Sequence, residues 1–255
     1  MKKEQIALQL YTLRDHLKSP ADIAASMKKV REIGYEAVQL SGLGPIEEGE
    51  LNRILDGEGL TCCATHEPTD EIIQSPEQVV ERLKKLGCAY TAVPFPAGVD
   101  MSDEASVMRF IEKMDAAGKV LADNDCVLTY HNHSIEFRHL NGRVILEIIY
   151  EKTNPANLQG EIDTYWIQHG GGDPVAWCAA LRNRLPLVHL KDYGISDDRQ
   201  PVMAEIGNGN LNMPAIIREA EKSGCEWFIV EQDVCPADPF DSAKQSYEYL
   251  LTLCS

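Results

Sequence analysis

A closed barrel of eight parallel strands, each followed by a helix, is the fold that this 255-residue chain predicts. Three observations carry it. Eight short apolar runs recur, each followed by a polar loop and a helical pattern, and such alternation makes a parallel sheet. Three helices leave by one signature, a charged last turn and a glycine just ahead of the next run. No segment of domain size is left over, which favours closure over an open doubly wound sheet. The reading is one α/β domain over residues 1–255, a (β/α)8 TIM barrel, a fold that commonly reaches this length as one unit.

In order, the runs are IALQLY (6–11), AVQL (37–40), TCCATH (61–66), YTAVPF (90–95), CVLTYH (126–131), LQGEID (158–163), LPLVHL (185–190) and WFIVEQ (227–232). The first helix is predicted over about 20–33, because Ile23, Met27, Val30 and Ile33 share one face. Ser19-Pro20 supplies its N-cap and first helical position, and Ser75-Pro76 does the same later, with Gln78 completing a capping box. Asp173-Pro174 and Asp238-Pro239 start two further helices. The exits are REIGYEAVQL, KKLGCAYTAV and EKSGCEWFIV. Gly34, Gly87 and Gly224 suit the left-handed residue after a helix, and the cations before them suit its negative end.

Composition excludes several classes. A formal charge of −16 opposes nucleic acid, whose phosphates need a basic surface, and opposes an anionic membrane. With 44% hydrophobic residues the chain has material for a large core and no disorder signature. No apolar run approaches 18 residues, and the apolar stretch in MKKEQIALQLYTLRD is too short for a signal peptide. None of the eight cysteines has a CxxC or Cys/His zinc spacing, so they read as structural thiols in a reducing cytoplasm. No GxGxxG or Walker sequence follows the first run, which weakens a nucleotide-binding reading.

Barrels of this type meet their substrate at the C-terminal ends of the strands. The polar residues there are Gln9, Tyr11, His66, Glu67, His131, His133, Glu136, Glu161, Asp163, His189, Lys191, Asp192, Glu231, Gln232 and Asp233. Strands five to eight each supply one group fit for a divalent metal: His131 (or His133), Asp163, His189 and Glu231. Adjacent strands lie about 4.8 Å apart, so four neighbouring ends can converge on one ion. A single strand-end His or Asp is more often solvated or a helix cap; four on consecutive strands make a site. Two imidazoles and two carboxylates without thiolate suit Mn²⁺ first, then Co²⁺, Zn²⁺, Fe²⁺ or Mg²⁺, in an open site.

In LQLYTLRD, YHNHSIEF, EIDTYWIQHGGGDP, HLKDY, EIGNGN and VEQD the chain resembles the xylose isomerase-like barrel superfamily, the sugar phosphate isomerase/epimerase proteins, over essentially its whole length. The resemblance implies a single divalent ion held by Asp163, His189 and Glu231, as ketose 3-epimerases hold theirs with Glu, Asp, His and Glu. The fifth strand departs from the pattern: relatives often show Glu-Asn where this chain has His131-Asn132. His131 is therefore the expected fourth ligand, with His133 or Glu136 as fallback. Ketose epimerases work with two metal-bound carboxylates on opposite faces of the sugar. Glu231 supplies one; Glu136 either reaches back to act on the second face, or caps a loop or pairs with Arg138.

The expected activity is that of a metal-dependent sugar isomerase or epimerase, abstracting a proton beside a carbonyl through an enediolate. A dehydratase or lyase of a keto-cyclitol or 3-keto-glycoside shares that intermediate and is the alternative. The expected catalytic residues are Glu231, Glu136 and Lys191. His66 and His133 are expected at the substrate hydroxyls, with Tyr11 and Trp166 offering ring faces. The plainer readings are a packed rim histidine for His66, an Asp192 partner for Lys191 and simple packing for the aromatics. Gly170–Gly172 and EIGNGN read as loop structure, and the lack of cations in VEQDVCPADPFDSA argues against a phosphorylated substrate. The partner is a small carbohydrate, without nucleic acid or membrane, and relatives often pair as homo-oligomers. An abasic-site endonuclease would need more metal ligands and a basic face; a non-catalytic sugar-binding barrel would not need the Asp163/His189/Glu231 set.

Overall fold

The computed structural model describes residues 1–254. All eight runs form strands: β1 (Ile6–Gln9), β2 (Ala37–Leu40), β3 (Thr61–His66), β4 (Tyr90–Val93), β5 (Val127–His131), β6 (Leu158–Asp163), β7 (Leu187–Leu190) and β8 (Trp227–Val230). Each pairs in parallel with its chain neighbours, and β8 pairs with β1, so one domain closes as a TIM barrel. Runs one, four and eight end later in sequence than their strands, because Tyr11 has already entered a 3-10 helix (Leu10–His16) and Phe95 and Gln232 have turned into the rim loops. Two short antiparallel hairpins stand outside the barrel, His139–Leu140 with Arg143–Val144 and Asp192–Ile195 with Pro201–Ala204.

Ten α-helices are described: α1 (Pro20–Ile33), α2 (Glu48–Glu58), α3 (Thr69–Gln74), α4 (Pro76–Leu86), α5 (Glu104–Ala122), α6 (Ile145–Lys152), α7 (Thr164–His169), α8 (Pro174–Ala180), α9 (Met213–Lys222) and α10 (Pro239–Leu251). The side chains of Ser19, Asp173 and Asp238 accept from Asp22 N–H, Val175 N–H and Phe240 N–H, as their sequence context predicts. Ser75 does not cap in the expected way. Its side chain makes no capping bond and no box forms with Gln78, because the same residue ends α3, its N–H donating to Glu71 O. Gly34 takes φ 122°, and a Cβ there would lie 2.6 Å from the Tyr247 ring, so both backbone and packing require glycine.

The core has two shells. Outside the sheet, α1 packs Ile23, Met27 and Val30, all fully buried, with Ile33 half-buried beside them. Inside, Ala7, Ala37, Cys63, Ala64, Leu187 and Ile229 fill the floor of the barrel. Alternation along the strands then dictates the next layer. Two residues above that floor come Gln9, Gln39, His189 and Glu231, and two above Glu161 comes Asp163. All eight cysteines are free thiols and six are buried. Among the described residues no helix is long and apolar enough to cross a membrane.

Candidate metal centre and the pocket above it

His131 ends β5, Asp163 ends β6, His189 is the third residue of β7 and Glu231 follows β8. The register pairs Asp163 with His189, and Ile229 with His189, so these side chains rise side by side on the inner wall. One potential ligand atom from each of His131, Asp163, His189 and Glu231 lies within 4.8 Å of the others. Asp163 also caps α7: Oδ1 accepts from Trp166 N–H at 2.9 Å, which leaves Oδ2 for the cluster. Asn132 points the other way and accepts from Asp163 N–H at 3.0 Å, tying the ends of β5 and β6 together.

Charge is dense here. His189 Nδ1 is 2.8 Å from Glu231 Oε2, and His131 Nε2 is 3.8 Å from Asp163 Oδ2. The Lys191 ammonium, 1% exposed, lies 3.0 Å from Asp163 Oδ2, 2.7 Å from Glu231 Oε2 and 2.9 Å from Asp233 Oδ2. Burial favours a neutral amine, but the three carboxylates outweigh it and hold the Lys191 pKa well above its usual value. Burial likewise favours a neutral His189, yet Glu161 and Glu231 raise it to about 10. His131 lacks that surplus of carboxylate, and burial with the His189 charge keeps it neutral. Burial lifts Asp163 to about 6 against the pull of Lys191. Glu231 stays well below the carboxylate range, Lys191 and His189 overcoming its burial.

This donor set fits a divalent ion. Asp163 Oδ2 is buried without a hydrogen bond, since the ammonium 3.0 Å away is near it but not aimed along a bond direction. His189 Nδ1 faces the Glu231 carboxylate at 2.8 Å while its Nε2 faces Gln39 Oε1 at 2.6 Å, so a neutral ring with its proton on Nε2 directs the Nδ1 lone pair to where a cation would sit. Two imidazoles and two carboxylates in one hand-span meet the coordination preferences of Mn²⁺, Zn²⁺ and their neighbours.

A deeper layer shares two of these rings. Glu161 Oε1 lies 2.5 Å from His66 Nε2, 3.1 Å from His189 Nε2 and 3.5 Å from His131 Nδ1. Gln39 Nε2 donates to Glu161 Oε2 at 2.8 Å, and Gln9 Nε2 donates to Gln39 Oε1 at 2.9 Å. Despite its complete burial, Glu161 is held well below the carboxylate range by His189 and His66.

Above the cluster opens a cavity of about 300 Å³ lined by Tyr11, Ser41, His66, Pro94, Phe95, His131, His133, Lys191, Glu231 and Asp233. The expected residues Tyr11, His66, His133, Lys191 and Glu231 thus meet in one pocket. Trp166 does not line it; its ring stands 5.4 Å behind His133. Glu136 is a correction. Its oxygens accept from Tyr130 O–H at 2.7 Å and His133 N–H at 2.8 Å, which fixes the loop after β5 outside the pocket. It pairs neither with Arg138 nor with the cluster, because Tyr130 faces the helix layer, where its ring meets Phe110 of α5. Nor does Lys191 pair with Asp192, whose carboxylate accepts from Tyr193, Gly207, Gly209 and Leu211 N–H and so shapes EIGNGN as structure. A larger groove of about 650 Å³ beside α3 and α5 gathers no ligating cluster. Glu161, Gln39, Gln9 and Asp233 are the residues whose part in the site the sequence reading left unassigned. The available signal was Glu161 two residues before Asp163 on one face, and a glutamine at or next to the C-terminal end of each of two apolar strands.

Fold and site together define a (β/α)8 barrel with a metal-competent centre at its C-terminal end. Residues 27–253 match the xylose isomerase-like TIM barrel family, and the chain belongs to that family. The rhizopine catabolism protein MocC of Rhizobium meliloti is 24% identical over 266 residues, covering 90% of this chain and 81% of that one. The inosose dehydratase of Geobacillus kaustophilus is 23% identical over 268 residues, covering 88% and 85%. Among solved structures, a sugar phosphate isomerase/epimerase from Parabacteroides distasonis superposes with a TM-score of 0.83 at 22% identity, covering 98% and 94%. Isomerase, epimerase and dehydratase names thus stand side by side among proteins of this kind.

Proposed function

We propose that this protein is a divalent-metal-dependent lyase of the dehydratase type. It would take the proton beside the ketone of an uncharged ring polyol, a keto-cyclitol or 3-keto-glycoside, and expel the β-oxygen. One observation carries the choice of elimination over epimerisation: the two carboxylates that line the pocket, Glu231 and Asp233, both come from the segment after β8. Both stand beside Lys191, while β3 and the end of β5 contribute His66, His131 and His133 to the lining, and Glu136 is withdrawn. Two carboxylates on opposite faces, the epimerase arrangement, are not at hand.

A carboxylate and an ammonium 2.7 Å apart suit a syn elimination. Both inward contacts of Glu231 use Oε2, leaving Oε1 for the substrate proton. The α C–H bond breaks towards Glu231, the carbon–carbon double bond forms, and the β C–O bond breaks as Lys191 protonates the departing oxygen. Lys191 then recovers its proton from Glu231, so one molecule of water or alcohol is released and both groups are restored. His131, Asp163, His189 and Glu231 would hold the ion, whose positive charge stabilises the substrate oxygen as it becomes negative. The uncharged substrate follows from the cations: Lys191 is the only lysine or arginine lining the pocket and is engaged by three carboxylates. Arg14 at the rim is committed to the carbonyls of Tyr11 and Asp233. The relationship to an inosose dehydratase supports a cyclitol ketone.

The test is a panel of keto-cyclitols and 3-keto-glycosides incubated in D2O with Mn²⁺, Co²⁺ or Zn²⁺, following enone formation and α-deuteration together. Elimination is expected, and Lys191→Met should slow it about 10²–10³-fold while α-proton exchange persists. Stereoinversion without loss of the β-oxygen would return the enzyme to the epimerases, with His133 as the second proton carrier; its ring makes no hydrogen bond among the described residues. Binding without exchange would favour a non-catalytic barrel.

A further inference from the structure

The proposed elimination gives no task to Glu161, although this carboxylate is completely buried beneath the ligands and touches three histidines. Its oxygens only accept hydrogen bonds, and that fact propagates through the whole inner layer. Gln39 presents Nε2 to Glu161 Oε2 at 2.8 Å; the opposite amide orientation would set oxygen against oxygen. Gln39 therefore turns Oε1 towards His189 Nε2, 2.6 Å away, and an oxygen there requires a proton on that nitrogen. Gln9 donates to the same Oε1, which leaves its own Oε1 to accept from Tyr11 N–H. The Gln9 amide also faces His66 Nδ1 at 3.4 Å, so His66 carries its proton on Nε2, against Glu161.

We propose that Glu161, with Gln39, is the positioning residue of the metal centre: it holds the inner nitrogen of each ring protonated, so that His189 presents Nδ1 and His131 presents Nε2 to the ion. For His131, the inner Nδ1 is buried, faces Glu161 Oε1 at 3.5 Å and has no hydrogen-bond partner. The same geometry decides between two overlapping donor groups. His66, His131, Glu161 and His189 also bring four donor atoms within 4.8 Å, but they share both rings with the outer group. A neutral imidazole offers a single lone pair, so one group is the metal site and the other its support. In the inner group Glu161 already accepts from Gln39 and faces the His66 and His189 rings, whereas in the outer group Asp163 Oδ2 is buried without a hydrogen bond and Glu231 lines the pocket. This inference rests on the reading of His131, Asp163, His189 and Glu231 as ligands.

Histidine ¹⁵N spectra of the Zn²⁺-loaded protein test it directly. Metal on Nδ1 of His189 and Nε2 of His131, with protons on the inner nitrogens, is expected; the opposite nitrogens would overturn it. In titrations of chelator-treated protein with Zn²⁺ and Mn²⁺, Asp163→Ala should abolish binding, and Glu161→Gln should weaken it about 10–100-fold. His66→Phe should leave it within about threefold. Should the Glu161 variant not fold, Gln39→Met removes the acceptor of His189 Nε2 and should weaken binding in the same direction. Loss of the metal in Asp163→Ala with unchanged affinity in Glu161→Gln would sink the positioning role alone. Loss in His66→Phe would make Glu161 a ligand instead, and a wild-type protein that binds neither ion would take the ligand reading down as well.

Discussion

Glu136 and Glu161 are both fully buried glutamates beside histidines, yet their surroundings part them. Glu161 faces imidazole protons and stays ionised, whereas Glu136 meets only a phenol and one backbone N–H, and burial pushes its carboxyl up to about 7 from 4.5. A folded-state pKa above the unfolded one contributes stability that is complete below about pH 4.5 and is lost as pH rises through about 7. Glu136→Gln keeps the shape and can still meet Tyr130 and His133, but does not titrate. The stability of wild type relative to this variant should therefore fall by about 3 kcal/mol between pH 4.5 and 8, measured by urea unfolding. A pH-independent difference would show that the carboxyl does not titrate there. Activity should survive, because Glu136 lies outside the pocket; a loss of proton abstraction with intact folding would return it to the catalytic set.

Asp192 organises an entire element. As the first residue of the hairpin after β7, it gathers four backbone N–H groups and joins the hairpin to the EIGNGN turn, with Gly209 so close that a Cβ would lie 2.3 Å from its carboxylate. Asp192→Ala should cost about 2–3 kcal/mol in unfolding, with proteolysis starting within residues 196–212. Unchanged stability would show that water replaces the carboxylate without cost. The glycine triplet after α7 is an element of the same kind. A Cβ at Gly170 would fall 2.4 Å from Phe137 and one at Gly172 2.6 Å from it, so these glycines admit an aromatic ring rather than a phosphate. Sequence composition pointed to loop structure at both places, but the partners, Asp192 and Phe137, lie too far along the chain for local pattern to name.

Across the whole molecule, metal and fold should be linked. The four proposed ligands sit on or next to four neighbouring strands and come together only in the folded barrel, so an ion that binds the folded chain alone would stabilise it by mass action. A divalent ion at 100 times its Kd adds about 2.7 kcal/mol, equivalent to a rise of about 5–10 °C in Tm for a chain of this size. Differential scanning fluorimetry with and without Mn²⁺, Zn²⁺ or chelator measures it. The rise should vanish in Asp163→Ala; a rise that persists there would place the ion elsewhere.

Local chemistry in the sequence determined the barrel and the wall of donors. Apolar runs too short for helices, serine and aspartate caps, and glycine exits specify each element, and the strand period of two puts Asp163, His189 and Glu231 on one inner face. That period ends where the ladder ends. His131 is the last residue of β5; alternation carried one step further can set His133 on the same face, but no such rule could say that Glu136 turns away. The tertiary structure alone decided this, together with the depth of Glu161 and the grip of three carboxylates on Lys191. Those features depend on distances between strands remote in sequence, and a single chain's pattern carries no record of such distances.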